Sequence, residues 1–76
     1  MRKMTKEENY KVVYQKYCDA VYKVCLYYLK DEAEAREVTL LVFLEFYDYF
    51  EEVDSEYMLG YLIHMTKEFI DNRSND

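Results

Sequence analysis

At 76 residues the chain is one domain at most, and a domain this small has little stability in reserve. It has no Pro and one Gly, Gly60, so the turns of a sheet protein are not supplied, while a composition 51% apolar and 18% aromatic excludes a disordered tail. The net charge of −6 excludes indiscriminate nucleic-acid binding by the whole surface.

The charge is unevenly placed. Residues 1–30 carry seven Lys/Arg against three Asp/Glu (+4), and residues 31–76 carry three against thirteen (−10). Residues 1–11 are polar and charged, unlike a signal peptide, and the longest apolar run, Val38 to Leu44, is far too short to span a bilayer. A cytoplasmic protein without membrane association is expected.

The first element is a helix over about 7–30. Tyr10, Val13, Tyr14, Tyr17, Val21, Val24, Cys25 and Tyr28 recur in steps of three and four, one helix face. Thr5 with Glu8 has the spacing of a capping box. Lys16, Lys23 and Lys30 form a basic stripe on another face, which reads as a solvated surface rather than a row of phosphate ligands. Cys18 and Cys25 lie two turns apart, roughly 10 Å along the axis, too far for an internal disulfide. They read as reduced thiols of a cytoplasmic core.

Asp31 is placed to cap a second helix, with Glu32 and Glu34 favouring its positive end. The pattern carries this helix over 32–53, with Val38, Val42, Phe46 and Tyr49 facing the core, flanked by Ala35 and Phe50. Leu40, Leu41 and Leu44 then turn the opposite way. Three short helices cannot readily cover both sides of this one, so the leucine stripe is expected to be a partner surface. The competing reading has a neighbouring helix wrapping far enough to bury it.

The acidic connection 51–56 leads to a third helix over 56–72, with Asp54 or Ser55 as its cap. It presents Met58, Tyr61, Leu62, Met65, Phe69 and Ile70 to the core, and residues 72–76 read as a fraying polar tail. The expected fold is all-α, a compact three-helix bundle in a single domain over residues 1–76.

The order of these features resembles region two of the extracytoplasmic-function sigma factors of bacterial RNA polymerase. Tyr14-Gln15-Lys16-Tyr17, Val21-Tyr22 and Leu29-Lys30-Asp31 are similar to the family's opening helix, with its paired aromatics, Val-Tyr and Leu-Gly-Asp stop. Asp31-Glu32-Ala33-Glu34-Ala35-Arg36-Glu37 resembles the acidic, Ala-rich start of the second helix, and Val42-Phe43-Leu44 with Tyr47 its Val-Phe-Leu and downstream Trp. No gap is needed from about Val13 to Phe50. Tyr61-Leu62-Ile63 and Phe69-Ile70-Asp71 resemble the third helix with a register one residue off.

The resemblance implies a transcription-initiation module. In the family the second helix docks on the clamp helices of the polymerase beta-prime subunit, and the loop and third helix open the −10 element and hold its bases by stacking and phosphate contacts. Carried onto this chain, Glu37, Leu40, Leu41, Leu44 and Asp48 are the polymerase- or partner-binding candidates, and Tyr57, Tyr61, His64, Lys67 and Arg73 the −10 DNA candidates. Core packing is the competing role for Tyr57 and Tyr61.

Three departures set this chain apart. The family's Gln-Glu before Val-Phe-Leu is Leu40-Leu41 here. The melting loop, commonly basic, carries Glu51, Glu52, Asp54 and Glu56, whose repulsion from phosphates opposes autonomous melting. No region-four helix-turn-helix follows, which points to a truncated or split sigma factor with a companion chain. The alternative function is a sigma-derived interaction module that dimerises, or binds an anti-sigma regulator, through Leu40, Leu41 and Leu44. No nucleophile–base pair and no Gly-rich phosphate loop is visible, and His64 has no second His to complete a metal site. The expectation is a binding protein, not an enzyme, with no cofactor and no metal.

Overall fold

The computed structural model describes residues 3–74. The first helix, α1, spans Lys6–Leu29 and opens on the expected capping box. The Glu8 backbone N–H donates to the Thr5 hydroxyl at 3.2 Å, and the Thr5 N–H donates to the Glu8 carboxylate at 3.0 Å. It stops at Lys30, which takes the left-handed conformation (φ 57°) while its N–H bonds the Leu26 carbonyl at 2.9 Å.

The second helix, α2, spans Glu32–Phe46, and the Asp31 carboxylate accepts the Glu34 N–H at 2.9 Å. Its end corrects the sequence expectation, which ran to residue 53. After Phe46 the ladder tightens: Asp48 N–H bonds the Glu45 carbonyl and Tyr49 N–H the Phe46 carbonyl, and a 3₁₀ turn follows over Phe50–Glu52. A longer helix would have gathered Asp48, Glu51 and Glu52 at its negative end. Breaking it turns the Phe50 ring inward, 5.4 Å from Tyr10 and 6.3 Å from Phe46. Tyr49, assigned to the core by continuing the helical period, is exposed on the turn instead.

The third helix, α3, spans Ser55–Ser74, with the Asp54 carbonyl accepting the Tyr57 N–H at 2.9 Å. It continues through residues 72–74, where a fraying tail was expected; Asn75 and Asp76 lie outside the described residues. All regular structure among the described residues is helical, each helix packs on the other two, and the extents are 48 × 20 × 19 Å.

Val21 and Cys25 of α1, Val38, Val42 and Phe46 of α2, and Leu62 of α3 are fully or almost fully enclosed. Along α1 the predicted face is buried in its middle, but Tyr28 at its end is exposed. Two polar residues and one ring from outside the predicted faces also enter the core. Thr39 and Thr66 are buried because each hydroxyl bonds the carbonyl one turn back, Ala35 and Leu62, both at 2.7 Å. Phe43 is buried because α1 covers the side of α2 next to the Val42 face, with the Tyr14 ring 4.9 Å away. Both cysteines are free thiols, Cys25 buried and Cys18 half-buried. Among the described residues no helix is long and apolar enough to cross a membrane.

Candidate functional site

At roughly 100° per residue, Glu37, Leu41 and Leu44 share one side of α2, and Leu40 stands beside them toward α1. Leu40, Leu41 and Leu44 are 58%, 37% and 71% exposed, whereas Val42 and Phe46 are wholly enclosed. The stripe therefore faces away from the bundle. It borders an apolar trough on the α1–α2 seam, in which a hollow lined by Tyr10, Lys11, Tyr14, Phe43 and Leu44 meets a second one at Tyr14 and Leu40. The trough floor is fixed by the Tyr10 hydroxyl, which donates to the Phe43 carbonyl.

The polar members of the predicted partner set lie at the ends of the stripe. Glu37 stands one turn before Leu41, its carboxylate paired with Arg73 of α3 at 3.3 Å. Asp48 is exposed in the turn beyond the end of α2.

That turn is fastened to the start of α1. The Tyr47 hydroxyl donates to Glu7 at 3.0 Å, the Lys6 ammonium sits 4.3 Å from the Tyr47 ring centre and 3.9 Å from Glu51, and the Tyr10 ring meets Tyr47 edge-on at 4.9 Å. The hydrogen bond at the Glu7 backbone, then the Tyr47 hydroxyl, hold the Glu7 carboxyl below its ordinary value. The same Glu7 contact, with burial, pushes the Tyr47 phenol up. Burial, followed by the neighbouring Tyr14 and Tyr47, raises the Tyr10 phenol, and burial raises the Cys25 thiol.

The predicted DNA-contact residues do not converge. Tyr57 is exposed beside the exposed acids of residues 51–56. Tyr61 is exposed on one side and packs its ring 5.6 Å from Phe46, so it combines a surface position with core contact. His64, on the same side of α3, contacts the Glu68 carboxylate. Lys67 turns toward α1, and Arg73 turns toward α2 and Glu37. One end of α3 thus presents aromatic rings next to carboxylates, and its cations lie elsewhere.

The sequence reading missed a second surface. Tyr27 and Tyr28 stand 70% and 49% exposed near the end of α1, their rings edge-on at 5.1 Å. Tyr27 carried no signal, lying off the apolar period, and Tyr28 was assigned to the core because it lay on it. Among the described residues no three His, Cys, Asp or Glu side chains form a set that could hold a metal ion. No family model, curated protein or solved structure matches the chain.

Proposed function

We propose that this chain is a sigma region-two-like module of transcription initiation, a binding protein that docks on the beta-prime clamp helices of RNA polymerase through Leu40, Leu41 and Leu44. The resemblance over residues 13–50 names the partner, and one observation supports the docking: the positions where the family carries its clamp-facing residues are an open leucine stripe, back to back with the enclosed Val42 and Phe46. Leucines held on a rigid helix lose little side-chain entropy on docking and release water from a contiguous apolar patch. Leu40-Leu41 in place of Gln-Glu makes this a drier contact than hydrogen bonds to the clamp would give.

In this reading DNA contact is subordinate. Tyr57 and Tyr61 supply rings for stacked bases, but the acids of residues 51–56 repel phosphates, so opening the −10 element calls on cations from the polymerase or a companion chain carrying region four. The place of action is the cytoplasm, with the polymerase.

The same dryness favours a second reading, in which the stripe binds a second copy or an anti-sigma regulator. Retention of the chain by an immobilised clamp coiled coil, abolished by Leu41→Glu, supports the first. No retention, together with a concentration-dependent dimer in sedimentation that Leu41→Glu dissociates, replaces it with the second.

A further inference from the structure

The clamp-docking reading leaves the Tyr27–Tyr28 surface without a role. It lies on the α1–α3 side of the bundle, away from the leucine stripe and, because α3 runs parallel to α1, at the end opposite the acidic turn. Lys23, Val24, Tyr27 and Tyr28 of α1 line a shallow hollow there with Ile63 and Lys67 of α3. Lys30, at the end of α1, holds its ammonium 5.6 Å from the Tyr27 ring centre. Lys23 and Lys67 thus line the hollow beside two exposed rings, and Lys30 lies against one of them. Three carboxylates are close: Asp19, bound to Lys23 at 2.9 Å; Asp71, which borders an adjoining hollow with Tyr28 and Lys67; and Asp31, next to Lys30 and engaged in capping α2.

Rings that stand out from a helix with ammonium groups on either side match one chemistry well. A base freed from its neighbours stacks on the ring face, and the flanking phosphates reach the lysines. A base pair inside a duplex has no free face to offer, so the fit is to a single strand. A flexible protein segment would meet the rings too, but it lacks the regular negative charge that the lysines complement. We propose that this shelf of Tyr27 and Tyr28, bordered by Lys23, Lys30 and Lys67, binds single-stranded nucleic acid. The site goes beyond the docking reading and does not rest on it: its aromatic members are Tyr27 and Tyr28, not Tyr57 and Tyr61, and it shares no residue with the leucine stripe.

The test is fluorescence anisotropy of the full chain with labelled oligo(dU), oligo(U) and a duplex of the same length, at low salt. Both single strands should bind more tightly than the duplex; a preference between them would identify the sugar that the shelf favours. The logarithm of the affinity should fall against that of salt with a slope of about −2, from three lysine–phosphate contacts at about 0.7 each. Tyr27→Ala should weaken binding about tenfold, at the lower end of what a stacked base contributes. Tyr27→Phe should keep the affinity, and Lys67→Ala should make the salt slope shallower by about 0.7. Tyr49→Ala, an exposed ring outside both sites, should change nothing, and retention on the clamp coiled coil is scored separately, so failure of this proposal is distinct from failure of the clamp reading. Absence of binding at low salt, equal binding of the duplex, or unchanged affinity in Tyr27→Ala with helicity intact by circular dichroism would overturn it.

Discussion

Phe43 and Leu44 are consecutive on α2 and end in opposite surroundings: the Phe43 ring is sealed against Tyr14, and Leu44 is the most exposed leucine of the helix. The helix is therefore apolar around more of its circumference than the other two helices can cover. An ordinary amphipathic helix carries polar residues on the side turned from the core, and here positions 40, 41 and 44 are leucine.

Leu44→Gln should change folding stability by no more than about 0.5 kcal/mol, the usual range for an exposed position, while Phe43→Ala should cost about 3–5 kcal/mol for the ring and the cavity it leaves. Urea denaturation of the two variants checks this. A large loss in Leu44→Gln would mean that the stripe supports the fold rather than a partner.

Lys30 ends α1 in a conformation that glycine adopts freely and that costs an L-residue roughly 1–2 kcal/mol. Lys30→Gly should raise stability by about 1 kcal/mol after the greater chain entropy of glycine is subtracted. An unchanged or lower denaturation midpoint would show that the stack of Lys30 on Tyr27 outweighs the relief.

Gly60 sits inside α3, exposed, with nothing within 4 Å of where a Cβ would stand. Gly60→Ala should stabilise the chain by about 1 kcal/mol, the difference in helix propensity. A loss would place an unseen constraint at that position.

The raised phenols of Tyr10 and Tyr47 and the raised thiol of Cys25 bind protons more tightly in the folded chain than in the unfolded one. Their contributions are fully present below the ordinary values of 9.0 for the thiol and 10.0 for the phenols, and are lost as the pH climbs through the raised values. Glu7 has the opposite sign: its lowered value gives a contribution present above 4.5 and lost as the pH falls through the folded value. The thermal midpoint should fall on the alkaline side, and Tyr10→Phe should flatten that fall while costing about 1 kcal/mol near neutrality for the bond to the Phe43 carbonyl. An alkaline limb equally steep in Tyr10→Phe would contradict the assignment.

What the sequence revealed and concealed follows from side-chain chemistry. The start of α1 was legible because Thr5 and Glu8 have one job at that spacing, and the two sides of α2 because valine and phenylalanine recur every fourth residue. The end of α2 was hidden because no Gly or Pro marks it; the apolar period runs on while the backbone tightens into 3₁₀ turns. Thr39 and Thr66 lay outside the predicted core faces because a sequence does not show a hydroxyl bonding back to its own helix. The tyrosines were hardest, since one residue type serves as core ring at Tyr17, as helix-to-turn clasp at Tyr47 and as open shelf at Tyr27.

The most direct measurement is a titration of the isotopically labelled chain with the isolated clamp coiled coil, followed by the methyl resonances of its leucines. Docking through the stripe predicts saturable shifts at Leu40, Leu41 and Leu44, none at enclosed Leu62, and loss of the response in Leu41→Glu. Binding that moves other surfaces and leaves those three methyls in place, or no binding at all, would contradict it.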